Sequence, residues 1–235
     1  MRWSKALPVC LLLSVVLSFA FYLPRHTKAE ILQAGKANVA FKWAFGAMVG
    51  AGNDKKFVPI TRDTVLKTGD EIKMVVNVTK DCFVYVLYQN SKGEINLLFP
   101  YEFKQFLGDY KSGKNYYIPK ARTWFVLDDN KGRETFHLLA SAERLLQLES
   151  LVSQYSEANP SKKAGLAQQI LTEIRDVRKH YRTFATLAEK PIAIGGNVRG
   201  VEKSFESMRR PDVSTITSEI SANNFFGKTL TIDHQ

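Results

Sequence analysis

From Thr64 to Ala140 the chain runs as short apolar segments separated by Gly, Asp, Asn and Pro, the pattern of an antiparallel β domain. In EIKMVVNVT, Ile72, Met74, Val76 and Val78 fall on one face and Lys73, Val75 and Asn77 on the other, which predicts a half-buried strand with period two. Phe83 to Tyr88 is apolar on both faces and predicts a strand covered on both sides. Asn90-Ser91-Lys92-Gly93 reads as a hairpin loop, from which Ile95 to Phe99 returns antiparallel until Pro100 stops it. Tyr116–Pro119, Thr123–Leu127 and Arg133–Ala140 add strands, the last two joined by Asp128-Asp129-Asn130-Lys131-Gly132 as a second hairpin. Upstream, Asn38–Val49 and Phe57–Thr61 predict two more strands across the turn-forming GAGNDKK.

The period changes after Ala140. Ser141 reads as a helix N-cap, and Leu145, Leu148, Val152 and Tyr155 recur at three- and four-residue steps. Asn159-Pro160 ends that helix and opens another, whose stripe is Leu166, Ile170, Ile174, Val177, Tyr181 and Phe184. The two make an αα-hairpin whose stripes must bury against each other, the sheet or a partner. Pro191–Val201 reads as a strand with a Gly bulge or turn, and Phe225–Asp233 as a final strand that pairs with an early one. The expected fold is therefore mainly β with appended α: an antiparallel β-sandwich-like domain over 30–140, a two-helix hairpin over 141–188, and a C-terminal strand and loop segment over 189–235 packing on the β domain.

The first 29 residues stand apart. Arg2 and Lys5 precede an apolar run from Ala6 to Leu23, and Thr27-Lys28-Ala29 supplies small residues where a signal peptidase cuts. This predicts a signal peptide cleaved after Ala29; the rival is an N-terminal anchor, since the run, 6–23, is near the lower length limit for a span. Both readings export the globular part to the periplasm or the exterior, and only the second puts the protein on a membrane. Cleavage removes four basic residues and no acidic ones, lowering the net charge from +10 to +6. The remaining Lys and Arg are spread along the chain, which reads first as solvated charge that keeps the protein soluble; a basic, exported protein otherwise faces anionic envelope polymers or membrane surfaces rather than nucleic acid. Cys82 would then be the sole cysteine, a small buried hydrophobe with no disulfide partner.

Candidate chemistry is sparse. His137, Ser141, Asp128 and Asp129 are the only hydrolase-like grouping, but no G-x-S-x-G elbow accompanies them, and strand, cap and turn roles explain each. His137, His180 and His234 are far apart, no H-x-x-x-H or C-x-x-C pair exists, and the acidic turns lack D-x-D-x-D-G spacing, so no metal or cofactor is expected. Gly46, Gly50 and Gly52 fit neither phosphate-binding fingerprint. Asn77-Val78-Thr79 is a sequon inside a strand. The best candidate ligand platform is the segment 101–114, where Tyr101, Phe103, Phe106 and Tyr110 stand among charged residues. The resulting expectation is an exported, noncatalytic binding or scaffolding module of the bacterial envelope that serves an envelope protein or polymer. A glycan- or peptidoglycan-binding role for the aromatic loop is the alternative, and a hydrolase the remote one.

At TVLKTGDEIKM, CFVYVLYQNSKGEINLLFP, YYIPK and GRETFHLLAS the chain resembles the bacterial domain-of-unknown-function family 4384, over roughly Val58 to Arg144. The shared pattern is an L-x-x-G-D turn, a Tyr- and Val-rich strand, a Gly hairpin leading to LLFP, an I-P segment and a G-x-E-x-x-x-L-A-S strand. The resemblance implies an exported or envelope-associated module, in other proteins sometimes attached to signalling or peptidase domains. It implies no activity and no catalytic residue.

Overall fold

The computed structural model describes residues 37–182, 188–191 and 210–235. The expected targeting segment 1–29, Phe184 and positions 192–201 of the expected late strand lie outside them. Among the described residues twelve strands follow in chain order: β1 Val39–Val49, β2 Lys56–Pro59, β3 Thr64–Leu66, β4 Glu71–Val78, β5 Phe83–Gln89, β6 Ile95–Phe99, β7 Asn115–Ile118, β8 Phe125–Val126, β9 Gly132–Ser141, β10 Ala188–Pro191, β11 Ser218–Ala222 and β12 Phe225–His234. Helices α1 Leu146–Glu157 and α2 Pro160–Arg182 fall between β9 and β10.

Among the described residues the strands form two sheets. The first has the order β10-β11-β1-β4-β7, with β2 also on β1 and β8 also on β4; the second is β3-β12-β9-β5-β6. Every pairing is antiparallel except that of β12 with β3. The sheets enclose a core to which β1 sends Phe41, Trp43 and Phe45, β4 sends Met74 and Val76, β5 sends Val84 and Val86, and β9 sends Phe136 and Leu138. The alternation in β4 thus sorts its side chains as the sequence predicts. The fold is mostly β with two helices appended, as expected.

The helical hairpin covers the other face of the second sheet. Tyr85 and Leu87 of β5, Leu139 of β9 and Phe225 of β12 pack against Leu148, Val152, Ile170 and Ile174. This is why Phe83 to Tyr88 is apolar on both sides: one face meets the other sheet and one meets helices. Tyr155 also reaches down to the edge strand, where its hydroxyl accepts a hydrogen bond from the Ile95 amide at 3.1 Å. Tyr155→Phe should leave that buried amide without a partner and cost about 1–2 kcal/mol, read as a lower urea midpoint with an unchanged slope; an unshifted midpoint would show that the bond contributes nothing.

Three expectations need correction. Asp128–Gly132 is not a hairpin loop, because β8 pairs with β4 in the first sheet whereas β9 lies in the second. The turn composition is real, with Asp128 accepting from the Asn130 amide at 2.8 Å, but it carries the chain between layers. Ser141 is not a helix cap: it is the fully buried last residue of β9, and α1 starts five residues later at Leu146 without a side-chain cap. Finally, β4 is not half-buried, since Lys73 and Val75 on its second face are 4% and 0% exposed. A short 3₁₀ turn at Val213–Ile216 lies on that face, where Val213 meets Ala44 and Val75.

Candidate functional site

The aromatic loop is built for packing. Its 3₁₀ turn, Phe103–Leu107, places Phe106 against Phe83 and Tyr85, with ring centroids 5.1 and 5.3 Å away, and Phe103 joins the same helix-side cluster. Tyr101 and Tyr110 instead face the core between the sheets. Tyr101 meets Phe99 edge-on at 5.6 Å and donates to the Tyr117 carbonyl at 2.6 Å. The Tyr110 hydroxyl donates to the Cys82 carbonyl at 2.9 Å and accepts from the Val84 amide at 3.0 Å. Burial pushes the Tyr101 phenol up to about 12 and that of Tyr110 higher still. All four rings are half-buried; Tyr101 and Tyr110 pack on the core between the sheets, Phe103 and Phe106 on the helix-side cluster, and Phe106 and Tyr110 meet edge-on at 4.9 Å where the two adjoin.

The hydrolase grouping is not assembled. His137 and Ser141 lie four positions apart on β9, roughly 13 Å at strand rise. The His137 Nδ1 lies 3.3 Å from Thr229 Oγ1, and neither Asp128 nor Asp129 hydrogen-bonds to it or to Ser141 among the described residues. His234 is buried with its Nδ1 3.7 Å from Glu134 Oε1, and Glu134 also accepts from the Tyr88 hydroxyl at 2.8 Å. Among the described residues no three His, Cys, Asp or Glu side chains gather as metal ligands. Cys82 is buried, and burial pushes its thiol up to about 11, so it is a packing residue and not a thiolate.

The other face of the first sheet carries a different arrangement. Antiparallel register places Gly46 opposite Lys73 and Met48 opposite Glu71, and Tyr117 of β7 opposite Val75, so these residues share one surface. β2 folds back beside β1 and lays the Phe57 ring over Gly46, where a β-carbon would come within 2.4 Å of the ring. Glycine is needed here for space. Trp124, just ahead of β8, meets Phe57 edge-on at 6.3 Å. With the chain returning at Arg210–Val213, these groups line a cleft of about 1400 Å³.

Its charges are fixed in place. The Glu71 carboxylate is buried and bridges Lys55 at 2.6 Å and Arg210 at 2.9 Å. Lys73 is buried beneath Tyr117 and Trp124, with its Nζ 5.4 and 5.8 Å from the two ring centroids. Nζ donates to the carbonyls of Ala121 at 2.8 Å and Thr123 at 2.5 Å. Burial lowers the Lys73 pKa, opposed by the charge of Asp212 and reinforced by that of Arg210. Asp212 accepts from the Tyr117 hydroxyl at 3.0 Å and caps the 3₁₀ turn through the Ser214 amide at 2.9 Å. Burial raises its pKa, but these bonds and Lys73 outweigh burial and hold the carboxyl below its ordinary range. Arg122 lines the same cleft, exposed and with no hydrogen-bond or ion-pair partner among the described residues. Four cations thus stand against two carboxylates beside three aromatic rings.

Sequence reasoning missed this site. Its one local signal was Lys73 beside Val75 on the outer face of β4; the rest is scattered from Met48 to Val213 and is brought together by strand register and the returning segment at Arg210–Val213. Neither among curated proteins nor among solved structures does any match the chain. Residues 65–144, which carry Glu71, Lys73, Tyr117, Arg122 and Trp124 of the cleft, match the family model described as Domain of unknown function (DUF4384).

Proposed function

We propose that the protein is an exported, noncatalytic binding module of the bacterial envelope and that an acidic glycan strand occupies the cleft on the first sheet. The single observation that carries this reading is the juxtaposition of Phe57, Tyr117 and Trp124 with an excess of cationic side chains in one cleft. Aromatic faces bind the apolar faces of sugar rings, while fixed ammonium and guanidinium groups match acidic substituents. The apolar run from Ala6 to Leu23, followed by Thr27-Lys28-Ala29, supports export. The scattered positions of His137, Ser141, Asp128 and Asp129 support a noncatalytic role.

Purified cell-wall sacculi provide the test. Wild-type protein should cosediment with them, and Trp124→Ala should weaken retention on the order of 10-fold, as for a central aromatic anchor. Phe103→Ala, in the loop on the helix side, should leave retention unchanged. Wild-type protein remaining in the supernatant, or equal retention of the Trp124 variant, would sink the proposal.

A further inference from the structure

We infer that the cleft selects a ligand carboxylate, seated on the third N–H of Lys73 and contacted by Arg122; this rests on the glycan reading above. A lysine ammonium has three donors. Two of those on Lys73 are fixed by the carbonyls of Ala121 and Thr123, both from the connection between β7 and β8. The third has no hydrogen-bond partner among the described residues, although Lys73 is only 4% exposed. The nearby carboxylates are engaged elsewhere: Glu71 with Lys55 and Arg210, and Asp212 with Tyr117 and Ser214. Lys73 is therefore a buried cation without a direct counter-ion, an arrangement that costs stability unless an anion arrives to complete it.

Local backbone geometry fits a preorganised donor. Ala121 has φ 59°, a left-handed conformation that is strained for a non-glycine residue, and its carbonyl is one of the two that hold Nζ. The two carbonyls and the two ring faces immobilise the ammonium before ligand binds. Little side-chain entropy is then lost on binding. A planar carboxylate uses one oxygen on the Lys73 N–H and leaves the other for the guanidinium of Arg122, which among the described residues is bound to nothing else. A neutral sugar contacts the rings alone.

Two soluble probes separate this inference from the reading beneath it: the disaccharide of N-acetylglucosamine and N-acetylmuramic acid, with a free lactyl carboxylate, and di-N-acetylchitobiose, which lacks it. Titration calorimetry should show wild type binding the acidic probe at least 10-fold more tightly. Lys73→Met should bring the two affinities together while neutral-probe binding persists. Should Lys73→Met fail to fold, as judged by its thermal transition, Arg122→Gln takes its place, because Arg122 is exposed and its loss leaves the core intact; it should reduce the preference several-fold. Equal binding of both probes by wild type overturns the carboxylate assignment and leaves the glycan reading standing. Binding of neither probe removes both. A preference that survives intact in the folded Lys73 variant, or in Arg122→Gln when that variant is used, also overturns the assignment. An acidic peptide bound with the same Lys73 dependence while neither sugar binds would identify a protein ligand and overturn the glycan form.

Discussion

Glu149→Ala is expected to destabilise the protein by about 3 kcal/mol, with most of the loss appearing at the junction of the helical hairpin and the second sheet. Glu149 is 5% exposed in the first turn of α1, where it accepts from the Tyr85 hydroxyl at 2.7 Å and pairs with Arg144 through both carboxylate oxygens. Tyr85 in turn accepts from the Leu145 amide at 3.0 Å. A sheet residue therefore performs the capping that no side chain of the helix performs, and the acidic group sits where the helix dipole favours it. Removing the carboxylate strands a buried hydroxyl and a half-buried guanidinium together. Glu149→Gln retains an acceptor for Tyr85 and should lose about half as much. In a double-mutant cycle with Tyr85→Phe, urea unfolding should give a coupling of about 1 kcal/mol or more; strictly additive losses would show that the two residues act separately.

The second large effect is acid-induced and centres on His137. Burial, with a smaller contribution from the charge of Arg178, lowers its pKa to about 4. Arg178 is itself fixed over β12, donating to Thr229 Oγ1 at 2.6 Å and to the Gly227 carbonyl at 3.1 Å. In the unfolded chain the imidazole titrates near 6.5. Between about pH 6.5 and 4 the unfolded state therefore binds a proton that the native state refuses, so stability falls as pH falls through this window and the term levels off below it. The full loss is up to about 3 kcal/mol. His137→Gln has no such proton to bind, and its urea midpoint should fall less between pH 7 and pH 4. Parallel pH profiles for wild type and variant would contradict the assignment.

How much of this was legible in the sequence depended on whether the deciding interactions were local. The alternation in β4, the doubly apolar β5 and the Asn90–Gly93 hairpin are read from neighbouring residues, and Gly93 adopts φ 83° as such a turn requires. Asp128–Gly132 misled because turn chemistry is the same whether the flanking strands pair or change sheets. Ser141 misled because a residue suited to capping is equally at home as a buried end of a strand, and the actual cap, Tyr85, lies 60 positions before the Leu145 amide that it caps. The aromatic loop drew notice as a dense local cluster, yet its density reflects the need to plug the space beside two cores. The cleft had no such density. Phe57, Lys73, Trp124 and Arg210 become neighbours through register and through a segment returning from near the C-terminus, which no local pattern encodes.

The position of the last strands also governs when this molecule can fold. β11 pairs Ala222 with Val39, and β12 lies between β3 and β9 in the interior of its sheet. Neither sheet is complete until residues 218–234 have been synthesised, so the order of synthesis makes strands near the start of the fold wait for partners made much later. Contacts of such sequence separation predict slow closure. Until then, the edges of β1, β3 and β9 that await their partners are exposed to other chains. A chaperone that holds the nascent protein extended would be working with the grain of this fold.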